Sequence, residues 1–284
     1  MTDPPNEIEG VGYKKWLSKV PYFVVIDLSN GIERGKQSFV IHFTELFYLI
    51  KICYDFLMTI NLSPNSLNLY LDCPNCFWLD KKMGIKRPPP FPYALNSAVD
   101  SLLKEEFDAY RKRSEAHPLI EKSHIKAKLF SNQRLLDQWR DNFQGIRYFD
   151  KDLQATLFGA VDDILEFSDG KLAPLDYKST GSKVANVYDR FQLQLDAYTF
   201  MLEKNGYKTP RKGYLAFYIV DKDKGFVDRL PFRKEIHEIE TNPSDIYEIF
   251  KDAVDVLKRE TPPPHSADCQ FCKWFGGANK FNVV

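Results

Sequence analysis

An excess of charge of either sign is missing from this 284-residue chain: 39 Lys and Arg balance 39 Asp and Glu. Proteins that coat a nucleic-acid backbone carry a basic surplus, so the balance argues against that class. It leaves room for an enzyme in which a local basic groove offsets an acidic metal site. An uninterrupted apolar run of membrane-spanning length is also missing. The most apolar stretch, 38–62, is broken by His42, Glu45, Lys51 and Asp55, whereas a spanning helix needs about 20 predominantly apolar residues. The opening MTDPPNEIEG has the character of neither a signal nor a transit peptide, so the expectation is a soluble, cytoplasmic protein with no membrane partner. Internal repeats, low-complexity tracts, a helicase motif and a helix-turn-helix are all lacking. That excludes repeat arrays, built-in unwinding and motif-based reading of base sequence. Cysteine is scarce at five residues. A thiol-poor cytosolic chain has no structural disulfide framework.

What is present is ample core material, with 44% hydrophobic and 14% aromatic residues. Ser63-Pro64 opens a helix, Ser as N-cap and Pro at the first helical position, which runs into Cys73. Further helices are expected over 93–113, 133–142 and 186–205, with Gly206 suited to end the last of these. IRYFD, TLFGAVDDILEF and KLAPLDYKS read as strands, with Ser168-Asp169-Gly170 as the turn between the last two. GYLAFYIV is a strong strand, FVDRLPF a candidate neighbour for it, and Asn242-Pro243-Ser244 opens a final helix to about Arg259. Pro88-Pro89-Pro90 and Pro262-Pro263-Pro264 read as stiff connectors. The order implies an α/β fold, a mixed central sheet flanked by helices. Residues 1–62, with a possible strand at PYFVVIDL, a possible helix over 43–60 and a core Cys53, form an extension of unknown role; 63–284 form the domain.

Chemistry concentrates in GAVDDILEFSDGKLAPLDYK. Asp162 and Asp176 fall on neighbouring strands, and two carboxylates brought together call for a divalent cation, Mg²⁺ or Mn²⁺ given hard oxygen ligands. Lys178, two residues beyond Asp176, shares its face of the strand and can orient or help deprotonate a water. Asp163 is the rival to Asp162, since adjacent strand residues face opposite ways. Asp-x-Lys alone is common on solvated strands, so the weight falls on the combination.

That combination resembles the PD-(D/E)XK nuclease superfamily, and within it the RecB-type and CRISPR-associated iron–sulfur exonucleases: Gly159 with Asp162, then Asp176-Tyr177-Lys178, then Gln194 and Tyr198 on one helix face. The resemblance implies a restriction-endonuclease-like core with a metal- or cluster-stapled cap joining its two ends. It makes Asp162, Asp176 and the backbone carbonyl of Tyr177 metal ligands, and Lys178, Gln194 and Tyr198 catalytic. It departs in one respect: the upstream helix YALNSAVDSLLKEEFDAYR lacks the histidine ligand common in relatives. Asp100 is the preferred substitute, with Asn96 and the weaker Glu106 as alternatives. His117 and His124 read as structural or surface residues.

Cys73/Cys76 and Cys269/Cys272 bracket the core and supply four thiolates, enough for Zn²⁺ or a [4Fe–4S] cluster. The resemblance leans to iron–sulfur, although its one-early, three-late division differs from the two-and-two seen here. Lys81, Lys82, Lys86 and Arg87, then Arg111, Lys112 and Arg113, then Lys122, Lys126 and Lys128, are candidate phosphate contacts, each also readable as a solvated face. The implied function is Mg²⁺-dependent hydrolysis of phosphodiesters in DNA, RNA being a further option, by an exonuclease or structure-directed deoxyribonuclease, any helicase or repair partner being a separate chain. The rival is a catalytically inactive nuclease fold that binds nucleic acid or a partner.

Overall fold

In a computed structural model of the protein, the residues described are 59–88, 94–226 and 228–280. The expected strand PYFVVIDL, core Cys53 and nearly all of the helix expected over 43–60 lie outside them. At the edge of the described region Ile60 opens a strand rather than closing a helix: β1 (Ile60–Leu62) pairs in parallel with β4 (Ala155–Gly159).

Ser63 caps α1 (Pro64–Asp72), its hydroxyl accepting from the Ser66 N–H. Cys73 ends α1 and N-caps α2 (Pro74–Met83), so one residue serves both helices. Then follow α3 (Ala94–Arg113), α4 (Pro118–Lys122), β2 (Ala127–Leu129), α5 (Gln133–Arg140), β3 (Ile146–Asp150), β4, β5 (Asp163–Phe167), β6 (Leu172–Thr180), α6 (Asp189–Lys204), β7 (Lys212–Val220), β8 (Phe232–Glu240), α7 (Ile246–Lys258) and α8 (Gln270–Asn279). A three-stranded sheet runs β1-β4-β3 and a five-stranded sheet runs β2-β5-β6-β7-β8. The larger is mixed: β6 and β7 are parallel, the other pairs antiparallel.

Two expectations are corrected and one further element appears. TLFGAVDDILEF is not one strand; it breaks at 160–162, where the chain leaves the small sheet for the large one. The partner of β7 begins at the last residue of FVDRLPF and continues through FRKEIHEIE. Its charges disguised it, because an edge strand tolerates polar side chains that a central one does not. The tail is helical from Gln270, which places Cys272 in the first turn of α8.

Period-2 alternation sorts β6 onto two faces. Ala173, Leu175 and Tyr177 pack with Leu103 and Phe107 of α3 and Leu119 and Ile120 of α4. Leu172 belongs to the other core, which holds Leu193, Ala197, Tyr198 and Met201 of α6 and Ile246, Phe250 and Val254 of α7. The α7 residues recur every three or four positions, and each fully buried side chain of that size contributes about 1.5–3 kcal/mol. Asp176 and Lys178 therefore share a face with Leu172, on the α6 side of the sheet.

Candidate active site

Register brings the two carboxylates together. Asp163 pairs with Leu175 across β5 and β6, and one step further sets Asp162 opposite Asp176. The Tyr177 N–H donates to Asp162 Oδ2 at 3.0 Å, fixing that alignment. Asp162 itself sits on the bend between β4 and β5. Tyr198 pins this bend by donating its hydroxyl to the Ala160 carbonyl at 2.5 Å. Gly159, the residue before Ala160, explains how the ring reaches that carbonyl: a Cβ there would lie 2.8 Å from Tyr198 Cε1.

Lys178 pairs with Asp176 and donates to Gln194 Oε1 at 3.2 Å. Gln194 Nε2 donates to the Tyr198 hydroxyl at 2.9 Å. The relay Lys178–Gln194–Tyr198–Ala160 thus joins β6, α6 and the bend. Burial, then the charges of Asp176 and Asp162, raise the Tyr198 pKa well above its ordinary value, so its hydroxyl stays neutral and donates.

Asp176 is 1% exposed. Its Oδ2 lies in an ion pair with Lys178 yet accepts no well-directed hydrogen bond. Burial and the facing charge of Asp162 push its pKa up to about 7 against the pull of Lys178. A buried carboxylate oxygen lacking a hydrogen bond, opposite a second carboxylate, is the donor set a hard divalent cation fits. A cation already points there: Lys104 Nζ lies 3.0 Å from Asp162 Oδ1 and 2.8 Å from Asp100 Oδ2. Burial works against charge on Lys104, but Asp162 and Asp100 outweigh it and raise its pKa. Asp100 therefore reaches the site through Lys104, four residues on and on the same helix face. Lys104 was legible from that spacing but carried no motif. Asn96 instead donates to the Ser179 carbonyl at 3.1 Å, and Glu106 is turned toward His117 and Lys234.

Asp163 faces away, wholly buried. It pairs with Arg111 and, at 3.2 Å, Arg140, and accepts from the Tyr177 hydroxyl at 2.7 Å. Asp108 closes the group by pairing with both arginines. Arg111 is thereby corrected from phosphate contact to buried counter-ion. Lys82 and Arg87 are likewise engaged, Lys82 with the Leu257 carbonyl at 3.0 Å and Arg87 with Asp72 at 2.5 Å. His117 is buried, stacked on Phe107 with centroids 3.8 Å apart.

A cleft of about 610 Å³ beside α3 and α4 is lined by Lys122, Lys224, Arg233 and Lys234 along with Glu106 and Asp221. Neither Asp162, Asp176 nor Asp100 lines it.

The four bracketing cysteines also meet. Their sulfurs all lie within 4.8 Å of one another and can hold a metal ion. Burial opposes ionisation of Cys73, but the backbone at Cys76 and Ser266 and the neighbouring thiols bring its pKa down to about 6.

A family model for the PD-(D/E)XK nuclease superfamily matches residues 61–275. No curated protein matches the sequence. Among solved structures, one described as "Crystal structure of SSO0001" is 14% identical, covering 82% of this chain and 95% of its own at a TM-score of 0.39. Among the described residues no helix is long and apolar enough to cross a membrane.

Proposed function

Because the chain belongs to the PD-(D/E)XK nuclease superfamily, we propose that it is a Mg²⁺- or Mn²⁺-dependent deoxyribonuclease in which Asp162 and Asp176 hold the cation and Lys178 serves the reaction. The observation that carries this reading is the buried Asp176 facing Asp162, with Lys178 on the same strand face. The family resemblance adds the Tyr177 carbonyl to the ligand set, and Asp100, now joined to Asp162 through Lys104, would join it directly if a cation took the place of the Lys104 ammonium. A divalent cation held there supplies Lewis acidity, lowering the pKa of a water and offsetting charge on the phosphate. Lys178, an ammonium with three donors and no acceptor, orients the attacking water and stabilises charge on the phosphate oxygens. Gln194 and Tyr198 act as positioning residues: one fixes the ammonium, the other the bend that carries Asp162. Lys104 would hold the charge of Asp162 and Asp100 in the cation-free protein and would yield that place to a bound cation.

The branch best matching the bracketing cysteines is the RecB-type one, which favours an exonuclease or structure-directed enzyme working beside a separate helicase or repair protein. Lys122, Lys224, Arg233 and Lys234 in the cleft beside α3 and α4 would contact the phosphates of nucleic acid. Domain limits follow the same reading, a nuclease domain over 63–284 with β1 (Ile60–Leu62) joined to its small sheet, and an extension before it.

Labelled single- and double-stranded DNA incubated with the full chain tests this. Cleavage is expected with Mg²⁺ or Mn²⁺ and none with EDTA. DNA binding without cleavage under either cation would instead establish an inactive nucleic-acid-binding form of the fold.

Cation binding should also depend on pH with a definite sign. The Asp176 pKa of about 7 lies above its unfolded value, so the cation-free fold binds an extra proton below about pH 7 and loses stability as pH rises toward 7. Metal must displace that proton. Apparent Mg²⁺ affinity is expected to fall up to about tenfold per pH unit below 7, and the Mg²⁺-induced rise in Tm to be larger at pH 8 than at pH 6. Equal shifts at both pH values would remove Asp176 from the ligand set.

A further inference from the structure

We propose that Cys73, Cys76, Cys269 and Cys272 bind a single Zn²⁺ as a tetrahedral tetrathiolate, not the [4Fe–4S] cluster that the family resemblance suggests. The spacing of the sulfurs discriminates. Around one ion with Zn–S bonds of about 2.3 Å, the edges of the sulfur tetrahedron are about 3.8 Å. In a cubane each thiolate binds a different corner iron, which spreads the four ligand sulfurs to about 6 Å or more. Here Cys76 and Cys272 are 3.5 Å apart, Cys76 and Cys269 3.6 Å, and Cys73 and Cys272 3.8 Å. No pair of ligating sulfurs exceeds 4.8 Å. All four thiols are free, so the closeness is not that of disulfides. Four irons and four sulfides do not fit between sulfurs so placed.

The backbone supports the same ion. In both pairs the first cysteine is a helix N-cap, Cys73 for α2 and Cys269 for α8, and the second lies in that helix's first turn. Each arm is therefore a rigid bidentate clip of identical spacing, and two such clips facing each other make a closed four-coordinate site. Cys73, Cys76 and Cys269 are buried and Cys272 half-buried, so solvent has little access to a fifth position. Four thiolates around Zn²⁺ leave a net double negative charge. The Arg87 guanidinium, 3.3 Å from Cys269 Sγ, offsets part of it. Loading balances as four thiols plus one Zn²⁺ giving the tetrathiolate and up to four protons.

The test uses the full chain purified without oxygen from cells supplied with both iron and zinc. Zinc, iron and acid-labile sulfide are counted, so the readout is independent of cleavage. About one zinc per chain, no sulfide and no visible charge-transfer absorption are expected. The metal-free protein is then offered Fe²⁺ and Fe³⁺ in equal amounts with sulfide, alongside Zn²⁺, which guards against zinc having displaced a native cluster. Zinc is expected to win, and Co²⁺ substitution to give the visible spectrum of a tetrahedral thiolate site. Four irons with four sulfides from either route would overturn the proposal, as would a chain holding no metal at all. Because Cys73 is buried and joins α1 to α2, the half-buried Cys272→Ser serves as second variant: it keeps the fold and lowers zinc affinity about a hundredfold. Full affinity in Cys272→Ser would likewise overturn the four-thiolate site.

Discussion

Lys178→Ala is expected to slow DNA cleavage about a thousandfold, within the range of about 10²–10⁴ ascribed to a positioned proton-handling group, while Mg²⁺ still binds. The ammonium is held by Asp176 and by Gln194 Oε1, so its loss removes a donor at the reacting centre without opening the core. It also removes a counter-charge from Asp176, which raises that carboxyl further and favours its proton over the cation. The comparison is therefore made at pH 8 with saturating Mg²⁺, reading single-turnover cleavage beside the Mg²⁺-induced shift in Tm. Asp176→Ala, by contrast, should lose both cleavage and that shift. Activity within tenfold of the parent in Lys178→Ala, at saturating cation, would remove the lysine from the reaction.

The second large effect separates two adjacent aspartates. Asp163→Ala should cost about 3–5 kcal/mol of stability, because it strands buried cationic side chains that were paired. Arg111 and Arg140 retain only 3% and 9% side-chain exposure, and Asp163 none. Tyr177 loses its buried acceptor in the same change. Asp108 still faces both arginines, which keeps the cost from being larger. Asp162→Ala should do the opposite: cleavage and Mg²⁺ binding vanish while the metal-free fold stays within about 1 kcal/mol of the parent, relief of repulsion with Asp176 offsetting the lost contacts with Lys104 and the Tyr177 N–H. Denaturant unfolding of the two variants in EDTA checks the pair. A loss under 1 kcal/mol for Asp163→Ala would mean that the buried ion group is not a pillar of this fold.

The sequence by itself determined most of the local structure and the kind of chemistry. The continuous apolar run GYLAFYIV, the Ser63-Pro64 start of α1 and the Gly170 turn at φ 77° are local preferences that the fold had no reason to override. The Gly159, Asp162, Asp176, Lys178, Gln194 and Tyr198 pattern was legible through its resemblance to the nuclease superfamily, with strand periodicity setting Lys178 on the face of Asp176 and helix periodicity setting Tyr198 on that of Gln194. Strand periodicity left Asp163 a rival to Asp162 and the resemblance favoured Asp162; only the packing of α3 and α5, with Arg111 and Arg140, makes Asp163 a buried counter-ion. Tertiary structure also drew Lys104 between Asp100 and Asp162, and set the charged β8 at a sheet edge where its polarity is harmless. The meeting of Cys76 with Cys269, 193 residues apart, is the clearest case. Spacing within each CxxC pair is a property of one helix turn, whereas the distance between the pairs, and with it the size of metal centre they can enclose, exists only once the two ends of the domain have packed together.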